Sequence, residues 1–292
     1  MPEADSRRGA LYALAALTLI WSYNWVVMKQ ALQYSGPFTF SALRYVFGTL
    51  VLFGLLALRR ESLAPPPLGP TLALGLAQTT GFQALVQLAL VGGGAGRTAL
   101  LAYTMPFWVV LLAWLVLRER PSARQWLCLA IAAAGLACVL EPWRGLGGMR
   151  STALALAGGL SWAISVVLAK RMFAGGRVGA LQLTAWQMLL GTLVLVALAL
   201  LMPERPIDWA PGYVAALAYN ALLPAGVGWA LWLYIVQRLP THVAGLTSLA
   251  VPMTGVLLAW AILGERPDAA EATGIALIAA ALLTLNFAPR RH

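Results

Sequence analysis

Ten apolar stretches run through the chain, at roughly 9–29, 38–58, 69–91, 97–117, 124–141, 152–172, 180–202, 212–236, 243–263 and 270–287. About 20 residues rising 1.5 Å each cross the hydrocarbon of a bilayer, so each stretch predicts one membrane-spanning helix. The polar segments between them are short and leave no room for a soluble domain. The first stretch resembles a signal peptide in length, but its counterpart at 152–172 has to span internally, so it reads as the first membrane helix.

Part of the pattern is written twice. Pro106 to Pro121 reads P-F-W-V-V-L-L-A-W-L-V-L-R-E-R-P, and Pro252 to Pro267, 146 residues later, reads P-M-T-G-V-L-L-A-W-A-I-L-G-E-R-P. Trp21 to Lys29 is echoed by Trp162 to Lys170, and Arg44 to Leu52 by Gln187 to Leu195, where Gly-Thr-Leu-Val-Leu is identical. The offset grows from 141 to 143 to 146, as it does when loops change length and helices keep register. Residues 1–141 are expected to form the first repeat with helices 1–5, 142–150 a Pro/Gly-rich linker, and 151–292 the second repeat with helices 6–10. Five crossings per repeat is an odd number. The expected fold class is therefore an all-α integral membrane protein of ten transmembrane helices in two inverted five-helix repeats, with a site near the midplane between the halves.

Composition agrees with a bilayer protein: 61% hydrophobic, 10% charged and mean hydropathy +0.79, against roughly 25% charged for soluble domains. The net charge of +10 raises the question of nucleic acid. Its distribution answers otherwise, because with the N-terminus inside, 13 Lys and Arg fall on cytoplasmic segments and 6 on outer ones, Arg44 set aside. That bias puts both termini in the cytoplasm, for a multi-pass protein of a bacterial inner membrane. Cys128 and Cys138, about 15 Å apart along one helix, read as core packing. Trp126, Trp143, Trp209 and Tyr213 near helix ends read as an interfacial belt.

Polar side chains inside a membrane need partners or a wet cavity, which makes them the candidate site. Trp21, Asn24 and Met28 share a face of helix 1, and Thr80, Gln83 and Gln87 share one of helix 3, with Gln78 and Thr79 adjoining. Ser161, Trp162 and Ser165 on helix 6, Trp186 and Gln187 on helix 7, and Tyr219 and Asn220 on helix 8 add to the set. From these, Asn24, Gln78, Thr79, Gln83, Trp162, Trp186, Tyr219 and Asn220 are the candidate substrate-binding residues. The alternative for any one of them is an interhelical hydrogen bond. Arg44 is the one Lys or Arg well inside a helix. It is either an anchor for a carboxylate or a structural tie to neighbouring carbonyls. Pro106 and Pro252 occupy matching positions inside helices and are candidates for bending that forms or gates a cavity, with Pro224 loosening helix 8. The bland reading is that they only shape packing.

What is missing narrows the chemistry. No Asp or Glu lies mid-helix, Glu119, Glu141 and Glu265 being at ends, so coupling through a central carboxylate is disfavoured. His242 and His292 lie in or beside loops and no metal-ligand cluster appears. There is no Gly-x-x-x-x-Gly-Lys-Ser/Thr loop, and Gly92 to Gly96 reads as a tight link between helices 3 and 4. No cofactor is called for. An uncharged lining of Trp, Tyr, Gln, Asn, Ser and Thr suits an amphipathic small solute.

These residues resemble the drug/metabolite transporter superfamily, in its branch of duplicated EamA units. The resemblance is carried by Arg44 with its following apolar run, by the Pro106 and Pro252 helices ending in Glu119-Arg120-Pro121 and Glu265-Arg266-Pro267, and by Gly135 and Gly274 among small residues in the helix after each. It implies ten helices, a central cavity lined by helices 1–4 and 6–9 with helices 5 and 10 outside it, and transport of metabolites, often export of amino acids. The length and aromatic interior are similar to those of aromatic amino-acid exporters. Gln187 stands where Arg44 stands in the first repeat, so a carboxylate anchor would be one-sided. The expectation is a transporter or facilitator with a small-molecule substrate and membrane lipid as its partners, no nucleic acid, and no enzymatic activity. A membrane enzyme acting on a lipid or isoprenoid, and a non-transporting scaffold or sensor, are the alternatives; the sequence does not fix the oligomeric state and is compatible with a monomer.

Overall fold

The computed structural model describes residues 2–118, 120–140, 148–174, 178–228, 231, 235 and 247–286. The expectations placed on Glu119, on Glu141 and Trp143 with most of the linker, and on His242 and His292 lie outside the described residues.

The described chain is helical throughout. Helices α1 (Pro2–Ala31) and α2 (Pro37–Leu58) are followed by α3 (Leu68–Gly75) and α4 (Phe82–Gly92), which a π turn over Leu76–Gly81 joins into one rod. Then come α5 (Ala95–Ala102), α6 (Met105–Leu117), α7 (Ala123–Leu140), α8 (Met149–Ala174), α9 (Ala180–Leu201) and α10 (Pro211–Asn220). A second π turn, Ala221–Val227, continues α10, and α11 (Thr247–Leu263) and α12 (Ala269–Asn286) complete the order. Proline sets several starts: Pro37, Pro106 and Pro211 stand in the first turns of α2, α6 and α10, where a missing N–H costs nothing.

The expectation of ten membrane-crossing helices in two inverted repeats is corrected here. Among the described residues six helical spans are long and apolar enough to cross a bilayer: Gly9–Ala31, Pro37–Leu58, Leu68–Gly92, Ala95–Val116, Met149–Phe173 and Ala180–Leu201. Three more apolar helices, Ala123–Val139, Ala250–Leu263 and Ala269–Thr284, are shorter, at 10–17 residues. At 1.5 Å per residue they fall below the ~30 Å of hydrocarbon. The physical reason is that hydropathy runs on past the points where a helix starts or ends. Within the apolar stretch 212–236, for example, the helix Pro211–Asn220 gives way to a π turn, Ala221–Val227, that contains Pro224. The all-α membrane architecture stands and the count does not.

Close backbone approaches hold the helices together. α3 packs on α9 with Gly75 against Gly191, where a Cβ on Gly191 lies 2.6 Å from the Gly75 carbonyl oxygen. α7 packs on α12 in the same way, a Cβ on Gly135 falling 2.9 Å from Gly274 O. Cys128 is buried in the apolar cluster between these two helices, and Cys138 is half-buried. Further pairs are α2 on α9, α4 on α8 and α1 on α11. Trp209 and Trp126 are exposed, but Tyr213, expected at the interface, is fully buried against Phe40 and Trp209. Its position on the inner face of α10 outweighs its nearness to the helix start.

A polar strap closes one end of the bundle. Between α9 and α10, both Glu204 carboxylate oxygens accept from the first turn of α2, at Phe38 N and Thr39 N, 2.8 Å each. The Arg205 guanidinium donates to Leu32 O, and Asp208 N to Tyr34 O at 2.8 Å. Beneath the strap, Met28, Phe40, Val86, Leu90 and Tyr213 form a packed apolar cluster.

Candidate functional site

Under that cluster lies a cavity of about 190 Å³, bordered by α1, α2, the π turn and α4, the α5–α6 break, α8, α9 and the end of α10. Its shape comes from departures from regular helix. The π turn over Leu76–Gly81 inserts an extra residue into one rod, which brings Gln78, Thr79, Phe82 and Gln83 to the same hollow. The chain breaks at Tyr103–Thr104, one residue before α6 starts, so that Tyr103 reaches the cavity while Pro106 shapes the start of α6. The second π turn presents Pro224, whose carbonyl oxygen accepts from Trp21 Nε1 at 3.4 Å.

Of the eight candidate binding residues, six border the cavity: Asn24, Gln78, Thr79, Gln83, Trp162 and Asn220. Two are placed elsewhere among the described contacts. Trp186 packs edge-on against Phe53 and donates through Nε1 to Leu63 O at 3.2 Å. Tyr219 packs edge-on against Tyr23 and donates to Ile20 O at 2.7 Å. Each lies next in sequence to a residue that does border the cavity, Gln187 and Asn220, and the helical turn of about 100° per residue separates them. Pro106 and Pro252 do not border it either.

Thr79 Oγ1 donates to Gln187 Oε1 at 2.9 Å, so Gln187 is left with its amide N–H groups to offer. Thr80 faces away and donates to Gly191 O at 2.8 Å. The Asn220 amide nitrogen donates to Ala216 O at 3.0 Å, which turns its oxygen outward from its own helix. The oxygens of Asn24, Gln83 and Asn220 are buried without a hydrogen-bond partner among the described residues.

Arg44 borders the cavity and is buried. Its Nη1 donates to Met28 Sδ at 2.6 Å, and its guanidinium lies 5.0 Å from the Tyr45 ring and 6.0 Å from the Phe40 ring. No carboxylate pairs with it among the described residues. The Tyr45 side chain is also a hydrogen-bond partner; with five N–H donors the guanidinium still retains donors for a further acceptor.

Sequence reasoning missed most of the aromatic wall. Trp162 packs on Phe82 at 5.1 Å and edge-on to Tyr103 at 5.2 Å, and Tyr103 in turn meets Trp25 at 6.4 Å between ring centroids. Tyr103, three residues before Pro106, carried the one available signal, since a proline near a helix start exposes the preceding turn. Phe82 and Trp25 sit beside polar residues on the helical wheel and carried none.

Comparison with known proteins agrees with this architecture. A solved crystal structure superposes with a TM-score of 0.65 over 95% of this chain and 96% of that chain, at 23% identity, a likeness of fold. The chain is 24% identical to the uncharacterized transporter YoaV of Bacillus subtilis over 96% of this chain and 98% of that protein. It is 26% identical to the "probable amino-acid metabolite efflux pump" of Escherichia coli, over 94% of this chain and 93% of the relative. To the "probable terminal-alkyne amino-acid exporter" of Streptantibioticus cattleyicolor it is 27% identical, over 95% and 93%. The EamA-like transporter family matches twice, over residues 7–141 and 149–287, and by that match across nearly its whole length this chain belongs to that family of the drug/metabolite transporter superfamily, whose members are membrane transporters and not enzymes.

Proposed function

We propose that this protein is a secondary transporter or facilitator that exports amino acids, aromatic or otherwise amphipathic, or closely related metabolites across a bacterial inner membrane. The observation that carries the reading is the cavity lining: carboxamides, aromatic rings and one buried guanidinium gathered within membrane-embedded helices. A volume of about 190 Å³ is below the ~300–1,000 Å³ of pockets for drug-sized ligands, which favours a solute of amino-acid size. Two relatives named for amino-acid export support the same class.

The solute binds against Asn24, Gln78, Thr79, Gln83, Trp162 and Asn220, with Arg44 anchoring its carboxylate. Trp186 and Tyr219 support the neighbouring helices and do not touch it. Transport proceeds by alternating access. The end of the cavity under the Glu204–Arg205 strap is shut, and export requires the Met28–Phe40–Tyr213 cluster to part while the opposite end closes. The break before Pro106, Pro252 inside α11 and the π turn at Pro224 are the points where helices flex. Two units, 1–141 and 151–292 with the linker between them, move relative to each other, and both termini face the cytoplasm. The one-residue shift inside each π turn provides helix segments that can change register at small cost.

Purified protein in liposomes tests this with a panel of labelled metabolites, run with and without a proton gradient. Saturable flux of amino acids is expected. A folded preparation that moves none of them, while moving another solute class, overturns the substrate reading.

A further inference from the structure

We propose that a groove beside the strap binds an anionic phospholipid, with Arg205 and Lys29 taking the phosphate and the apolar side chains at the ends of α4 and α9 taking an acyl chain. The site is separate from the solute cavity and stands whichever solute that cavity carries.

The groove follows from the way one rod leans. α3 and the π turn after it pack on α9, whereas α4, the other half of the same rod, packs on α8. The rod therefore parts from α9, and a groove of about 740 Å³ lies where the two end, with Leu88 and Val91 on one side and Met202 and Pro203 on the other. Lys29 of α1 and Phe38 of α2 are also among its lining residues. Val91 is 58% and Met202 45% exposed, and they stand at the ends of the membrane-crossing spans Leu68–Gly92 and Ala180–Leu201. That places the groove at the level where hydrocarbon gives way to headgroups. Water against its apolar walls is costly, and a lipid chain removes that cost.

The rim is rich in donors. Lys29 Nζ donates to Leu90 O at 2.6 Å and to Gly93 O at 2.9 Å, which uses two of its three N–H groups. Arg205 donates through Nη2 alone, to Leu32 O and Ser35 O, so Nη1 and Nε keep theirs. Capping the ends of α4 and α1 accounts for the bonds made and leaves the remaining donors facing a groove that both residues line. The one carboxylate in the lining, Glu204, has both oxygens taken by Phe38 N and Thr39 N, 2.8 Å each. It forms no ion pair with either cation among the described residues. A phosphate oxygen fits such a rim. Two cations against one carboxylate favour a lipid of net negative charge over a zwitterionic one, whose own ammonium offsets its phosphate.

Native mass spectrometry of the purified, delipidated full-length protein tests this by titration with phosphatidylglycerol, phosphatidylcholine of the same chains, and glycerol phosphate. The first phosphatidylglycerol is expected to bind at least about five-fold more tightly than the first phosphatidylcholine, the effect of one basic side chain beside a headgroup. Arg205→Gln should bring that ratio towards one. Arg150→Gln, exposed at the start of α8 and outside the groove, should leave it unchanged. Val91→Trp, which fills the apolar half, should weaken both lipids and keep their ratio. Equal binding of the two lipids by the unaltered protein overturns the proposal, as does an equal loss of preference in both arginine variants, which marks general surface charge. Glycerol phosphate bound as tightly as the lipid shows a site for free anions and overturns it too. Undiminished binding of both lipids by Val91→Trp does the same for the acyl-chain half, and the lipid comparison on the unaltered protein decides even if a variant fails to fold.

Discussion

Glu265, in the second copy of the repeated Pro-to-Glu-Arg-Pro stretch, caps a helix that is not its own. Its Oε1 accepts from Ala95 N at 2.9 Å and its Oε2 from Gly96 N at 3.1 Å, the first two residues of α5. The residue at the N-cap of α5 is Gly94, which has no side chain to do this. The carboxylate at the end of α11 therefore supplies the cap across the bundle and joins α11 to α5. Glu265→Ala removes a cap, about 1 kcal/mol, and a negative charge at a helix start, about 0.3–1 kcal/mol. The sum is about 1.3–2 kcal/mol, which for a chain of this size lowers the melting temperature by about 2–3 °C. Glu265→Gln keeps a neutral acceptor and should lose about half as much. Gly94→Ala attacks the contact from the other side, because its Cβ would stand 2.8 Å from Glu265 Oε2. Melting of the purified variants in detergent, followed by size-exclusion chromatography, measures all three. If the cap is the shared cause, Gly94→Ala combined with Glu265→Ala costs little more than Glu265→Ala alone. A melting point for Glu265→Ala within about 1 °C of the unaltered protein, or strict additivity of the pair, refutes the reasoning.

Gly191→Ala should destabilise by about 1–3 kcal/mol through overpacking against Gly75 O, instead of the gain of about 1 kcal/mol usual for Gly→Ala in a helix; thermal melting shows the sign. Solute affinity should fall with it, because the shift reaches the Thr79–Gln187 bond one turn away. Gly135→Ala should cost a similar amount of stability, since α7 meets α12 there, yet leave flux per folded molecule unchanged in liposomes, as that contact is away from the cavity. Trp162→Ala removes the ring that joins Phe82 and Tyr103 and should weaken solute binding by about 2 kcal/mol, roughly thirty-fold, as measured by titration.

The membrane class, the duplication and most of the cavity's polar residues were legible in the sequence because each follows from composition or from spacing along one helix. Asn24, Gln78, Gln83 and Asn220 stood out as carboxamides in apolar runs, and a polar group there has few places to go. The span count was not legible, because hydropathy does not mark where α10 yields to its π turn, nor that the apolar helices Ala123–Val139, Ala250–Leu263 and Ala269–Thr284 reach only 10–17 residues among the described ones. Trp186 and Tyr219 were grouped with the cavity by type and neighbourhood, and helix rotation separates them from it. The aromatic wall of Trp25, Phe82, Tyr103 and Trp162 depends on which helix faces meet, a relation between distant segments that no local pattern carries. The same holds for the two carboxylate caps: Glu265 is legible only as a charge at a helix end and Glu204 carries no signal, until the structure pairs them with the starts of α5 and α2.

The measurement closest to the central claim is counterflow of labelled phenylalanine into proteoliposomes, comparing the unaltered protein with Asn24→Leu inside the cavity and Trp186→Phe outside it. The unaltered protein and Trp186→Phe should exchange phenylalanine at similar rates, while Asn24→Leu should be slower by about ten-fold or more. Exchange by Asn24→Leu at the unaltered rate, or no exchange by any of the three above empty liposomes, would contradict the assignment of this cavity as the path for an amino acid.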